Sequence, residues 1–127
     1  MNIPLLFGAI LGLLSVIVAA YLDHTLAIYL TSKSLNSMLT AIKYHQLYAL
    51  LVSVIGLSLF LQANSRLKLW LTITAYLFSS GIILFSFSIY ASIIFNIRGI
   101  IYLTPVGGMI LMLGWISLIR IALLKMK

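Results

Sequence analysis

Residues 3–22 read IPLLFGAILGLLSVIVAAYL, twenty consecutive positions without a charged side chain. At 1.5 Å per residue such a run makes a helix about 30 Å long, the thickness of a bilayer's hydrocarbon core. A barrel strand would be about 10 residues with alternating polarity, and this run does not alternate. Asp23-His24 closes it. Val18-Ala19-Ala20 would suit signal peptidase, but Met1-Asn2 supplies no Lys or Arg ahead of the apolar run, so the stretch is read as a retained first helix.

Outward from this stretch, the rest of the chain has the same character. Hydrophobic residues make up 64% of the 127 residues and charged ones 7%, with mean hydropathy +1.24, whereas soluble domains carry about a quarter charged residues. So apolar a surface must meet lipid, and every backbone group inside the hydrocarbon must be paired within helices. Eight Lys and Arg against one acid give a formal charge of +7. The basic residues stand singly beside apolar runs, which fits membrane topology and anionic headgroups rather than nucleic acid. The chain has no Cys, which excludes disulfides and thiolate chemistry.

The expected helices are residues 3–22, 44–61, 69–95 and 105–124. Residues 25–42, with Thr31, Ser32, Lys33, Ser34, Asn36 and Ser37 at their centre, read as a loop with room for a short interfacial helix. Gln62, Ala63, Asn64, Ser65, Arg66 and Lys68 form a turn short enough to demand an antiparallel hairpin. The third run is longer than the core requires and must tilt or project. Thr104-Pro105 marks the start of the fourth, with Thr as N-cap and Pro at the first helical position. The expected fold is all-α, a single transmembrane domain forming an antiparallel up-down four-helix bundle. Arg66, Lys68, Arg120, Lys125 and Lys127 fall on the side of the termini, and Lys33, Lys43 and Arg98 on the other. The excess favours both termini in the cytoplasm.

Helices in lipid associate through close packing, which small residues permit. Gly8, Gly12, Ser15 and Ala19 line one face of the first helix, Ala49, Ser53 and Gly56 the second, Gly81, Ser88 and Ser92 the third, and Gly107 with Gly114 the fourth. These stripes read as seams of one bundle in preference to a dimer face, although four helices leave faces over for a homo-oligomer or a larger membrane complex. Ser79, Ser80, Ser86 and Ser88 read as hydroxyls bonding back to their own helix.

The candidate site is an outer-mouth polar cluster of Asp23, His24, Tyr44 and His45, since the end of the first helix and the start of the second share a membrane face. Two imidazoles and a carboxylate are adequate ligands for zinc, copper or iron. The competing reading, an interfacial anchor with Asp23 paired to Lys43 or Arg98, is preferred, because polar residues are ordinary at the interface. With no Glu, no Cys and no phosphate loop the chain is not expected to be an enzyme, and no cofactor is expected. A non-catalytic membrane component or accessory subunit is the favoured function. The alternative is a small transporter or ligand- or metal-binding protein using the outer mouth.

Several segments carry a family resemblance: the first helix ending at His24, the Tyr-rich start of the second, Phe85-Ser86-Phe87-Ser88-Ile89-Tyr90, Thr104-Pro105-Val106-Gly107-Gly108 and Gly114-Trp115. Together they resemble the YgdD-like (YwdK-like) family of small bacterial membrane proteins over nearly the whole chain. The resemblance implies a four-helix inner-membrane protein of unestablished biochemical function and carries over no catalytic residue. Two departures stand out. Ala19-Ala20-Tyr21-Leu22-Asp23-His24 replaces the relatives' Gly-Ala-Phe-Gly-Ala-His, and Tyr44-His45-Gln46-Leu47-Tyr48 replaces their Tyr-Gln-x-x-His. Positions 45 and 48 lie one turn apart on a single helical face, so the imidazole has moved rather than vanished.

Overall fold

A computed structural model describes residues 1–124, among which there is no β-strand. Four stretches are long and apolar enough to cross a membrane: Ile3–Tyr29, Ser32–Leu59, Ser65–Ile94 and Gly99–Ala122. They contain five α-helices, α1 (Ile3–Tyr21), α2 (Ser32–Leu59), α3 (Ser65–Ile82), α4 (Ser88–Ile94) and α5 (Leu103–Ala122). Wider π-turns at Leu22–Leu26 and Ile83–Phe87 interrupt the first and third spans.

The largest correction concerns the second span, which begins at Ser32 rather than at Tyr44. The polar stretch expected as a loop is its first turns. Thr31 caps the helix by accepting a hydrogen bond from the Ser34 amide at 3.2 Å, as a threonine at this position should. The helix persists because one face continues to bury: Met38, Ala41, Ile42, His45, Tyr48, Ala49 and Val52 keep the i, i+3, i+4 pattern of a single helical face. The resulting 28-residue helix is about 42 Å long, so its ends reach beyond the hydrocarbon. His45 therefore lies near mid-span, not at a helix end.

Smaller corrections follow from capping. Asn64 caps α3 by accepting from the Leu67 amide at 3.0 Å, so Arg66 and Lys68 belong to the first turns of that helix. Thr104 is not an N-cap. A 3-10 turn at Gly99–Tyr102 leads into α5, which starts at Leu103, and Pro105 sits within the first turn, where its missing N–H has no helical partner to lose. Asn96, at φ 54°, takes the left-handed conformation that stops the third span. Lys125 and Lys127, which enter the charge count above, lie outside the described residues.

Registers across the seams establish the antiparallel order. Gly56 faces the backbone of Leu5, Gly8 faces Ser53 and Gly12 faces Ala49, so numbers fall on α2 as they rise on α1. Gly114 lies against the Phe78 ring, Gly81 against Leu111 and Gly107 against Phe85, again in opposite directions. Packing runs from the first span to the second, the second to the third and the third to the fourth, and both ends of the described chain emerge on one face. Gly107 is a tight backbone-to-backbone approach: a Cβ there would meet the Phe85 amide nitrogen and lie 2.7 Å from the Gly81 carbonyl oxygen. At Gly12 the nearest atom to such a Cβ is Ala49 Cβ at 3.9 Å, an ordinary contact. That glycine is not a tight seam as the others are.

The core consists of two apolar clusters. One gathers Leu11, Tyr48, Ala49, Val52, Ile55, Ala75, Phe78, Ile82 and Leu111 toward the terminal face. The other gathers Leu22, Met38, Ala41, Ile42, Ile89 and Tyr90 toward the opposite face. On α2 the residue between them is His45.

Candidate functional site

His45 is fully enclosed, with 0% of its surface exposed. Its Nδ1 lies 2.9 Å from the Tyr90 hydroxyl of α4, and the Phe87 ring meets the imidazole edge-on at 5.3 Å. Its Nε2 is buried without a hydrogen-bond partner. The Leu11 carbonyl of α1 comes near the ring but is outside hydrogen-bond geometry. An ionisable side chain in the middle of a membrane span is a functional lead in itself, and its partner here is a phenol.

The π-turn at Ile83–Phe87 makes this arrangement possible. An extra residue in one turn rotates everything beyond it about the helix axis, and such turns recur at functional sites. Ser86, within the turn, donates to the Ala41 carbonyl of α2 at 2.8 Å. Tyr90, one turn later, reaches His45. The expectation that the serines of this segment bond back to their own helix holds for Ser79, Ser80 and Ser88 and fails for Ser86, because the wider turn presents it to α2.

Other polar pairs join the spans in the same way. Ser88 and Thr104 hydroxyls bond α4 to α5, and Thr74 bonds to Ser117 across α3 and α5. Trp115 donates its indole N–H to the Tyr48 hydroxyl at 2.7 Å, within a cluster completed by Phe78. Positions 45 and 48 thus share the buried face of α2 but serve different neighbours, Tyr90 on the third span and Trp115 on the fourth.

The four residues of the expected outer-mouth cluster do not come together. Asp23 and His24 are exposed on the π-turn after α1, and Tyr44 is exposed with its ring edge-on to Phe85 at 5.5 Å. Lys43 stands 6.0 Å from the centre of the Tyr44 ring. Only His45 turns inward, because moving the helix start back to Ser32 buries it at mid-span. Among the described residues no three of His, Asp, Glu or Cys lie close enough to hold a metal ion. Tyr90, Ser86, Tyr48 and Trp115 were not singled out as site residues in the sequence. The spacing of four between Ser86 and Tyr90 was the available signal, but it becomes legible only with the π-turn in place.

Three of the segments that carry the family resemblance meet here: Phe85 to Tyr90 supplies the π-turn and the phenol, Thr104 to Gly108 the hydroxyl and the close approach, and Gly114-Trp115 the indole. Comparison with known proteins agrees. The family described as Protein of unknown function (DUF423) matches residues 18–108, which include His45, Ser86 and Tyr90. The chain is 33% identical to a UPF0382 membrane protein of Haemophilus influenzae over 87% of its own length and 85% of the relative's. It is 27% identical to the UPF0382 inner membrane protein YgdD of Escherichia coli strain K12, over 97% and 90%. To the UPF0382 membrane protein YwdK of Bacillus subtilis it is 30% identical, over 94% of each. No solved structure matches the chain.

Proposed function

The chain belongs to the DUF423 family of proteins of unknown function, and we propose that it is a non-catalytic component of the bacterial inner membrane, a rigid four-helix unit acting beside lipid or within a larger assembly. The observation that carries this reading is where the buried polar groups end. Ser86, Tyr90, Thr104, Trp115 and Ser117 each bond to a neighbouring span. In a bilayer such bonds hold helices together, and groups so used are not free to conduct a solute. The first and fourth spans, whose surfaces are mostly uncovered, are the faces left for lipid, a second copy or another subunit.

A second reading, a small proton-conducting transporter, rests on one observation, the unpartnered Nε2 of His45. One experiment separates the two. Wild type and His45→Ala are reconstituted into vesicles loaded with a pH-sensitive dye, and the same preparations are assayed for metal. Proton leak equal to that of empty vesicles, with no stoichiometric metal, is the expected result. A leak present in wild type and absent from His45→Ala would replace the scaffold reading.

A further inference from the structure

Two adjoining cavities of about 460 and 450 Å³ open on the membrane face opposite the termini and share Lys33, Ser37 and Ile89. Together they form one groove between the start of α2, the helix α4 and the start of α5. Asn36 and Thr40 line its near part, and Ser34, Ser92, Ile93 and Thr104 its far part. Depth follows from helix rise. His45 is near the middle of α2, so Ser37 lies about 12 Å and Lys33 about 18 Å from the bilayer midplane. The hydrocarbon half-thickness is about 15 Å. With His45 at the midplane the Lys33 ammonium would reach the level of the lipid phosphates, while Ile89 and Ile93, one turn apart on α4, form an apolar wall beside it.

Most serine hydroxyls of the bundle are engaged, those of Ser86 and Ser117 by a neighbouring span. Ser15, Ser53, Ser58, Ser79, Ser80 and Ser88 all donate to a carbonyl of their own helix, as serines in membrane helices commonly do. Among the described residues the hydroxyls of Ser34, Ser37 and Ser92 make no such bond. The one acid of the chain, Asp23, is not among the groove residues. A cation with three donors, hydroxyls left free and no competing carboxylate make a site for a phosphate oxyanion.

We propose that this groove binds a phosphate group, with Lys33 as its charged contact and Ser34, Ser37 and Ser92 as hydroxyl donors. Two sources share that chemistry, the headgroup of an anionic phospholipid and a free phosphate, and the apolar wall of Ile89 and Ile93 favours the lipid. Native mass spectrometry of the full-length protein titrated with phosphatidylglycerol tests it, with inorganic phosphate as the competing probe. Lys33→Gln should weaken lipid binding about fivefold, and Ser37→Ala with Ser92→Ala should weaken it further. Arg98→Gln, on the same membrane face but not among the groove residues, should leave it unchanged. Displacement of the lipid by millimolar inorganic phosphate, with phosphate itself retained in a Lys33-dependent manner, would assign the site to the free anion. Retention of the lipid against phosphate would assign it to the headgroup. Equal losses in Lys33→Gln and Arg98→Gln, or no bound lipid or phosphate in wild type, would overturn the proposal.

Discussion

His45 of α2 and Tyr90 of α4 meet at 2.9 Å between two apolar clusters. Neither group has water to fall back on, so the loss of one leaves the other unpaired in a low-dielectric interior. Tyr90→Phe should destabilise the protein by about 1–3 kcal/mol, the cost of an orphaned buried polar group. The double variant His45→Leu with Tyr90→Phe should cost less than the sum of the single changes, since it removes both partners. Unfolding in mixed micelles measures all three. Additive losses would show that the two side chains do not act as a pair.

Glycines at the seams should differ sharply in what they tolerate. A Cβ at Gly107 would lie 2.7 Å from the Gly81 carbonyl oxygen and meet the backbone of Phe85, neither of which can rotate away. Gly107→Ala should cost about 1–3 kcal/mol through overpacking. Gly12→Ala, with 3.9 Å to Ala49 Cβ, should be neutral or slightly stabilising, because alanine also restricts the unfolded backbone. Melting temperatures of the two variants in one detergent check the contrast, and equal losses would contradict the register of α1 on α2.

Ser86 and Ser80 offer a control pair on the third span. Ser80 is exposed and bonds to Tyr76 of its own helix, so Ser80→Ala should change stability by less than about 0.5 kcal/mol. Ser86→Ala removes an interhelix bond to the Ala41 carbonyl and should cost about 1–2 kcal/mol. The same micelle unfolding assay reads both. A neutral Ser86→Ala would mean that the π-turn is held by packing alone.

Helix number and the antiparallel order were legible in the sequence, because apolar run length and short polar turns are local signals. The site was not. Its displacement began with one boundary: a polar stretch from Thr31 to Ser37 looks like a loop by composition, yet Leu35 and Met38 continue the buried stripe of α2. Twelve residues of added helix moved His45 from the interface to mid-span and parted it from Asp23 and His24. The π-turn was equally hidden, since Ile83-Leu84-Phe85-Ser86-Phe87 carries no Pro or Gly to announce it. Only contact with Gly107 and α2 shows why the helix widens there.

Orientation in the membrane is the last expectation open to direct test. Four antiparallel spans bring both ends of the described chain to one face, so a single measurement fixes every loop. On that face Arg120 stacks over the Trp70 ring at 4.4 Å, the pairing of a cation with an aromatic belt residue that is common at a membrane boundary. Arg120 therefore counts as an interfacial charge rather than a buried one. With Arg66 and Lys68 it outnumbers Lys33 and Arg98 on the opposite face, Lys43 lying near mid-span two residues from His45, and the excess of basic residues favours the cytoplasm. Fluorescent-protein fusion after Lys127 should fluoresce, and alkaline phosphatase inserted beside Lys33 should be active. The reverse pair of signals would turn the protein over, and would move the Lys33 groove to the cytoplasmic leaflet.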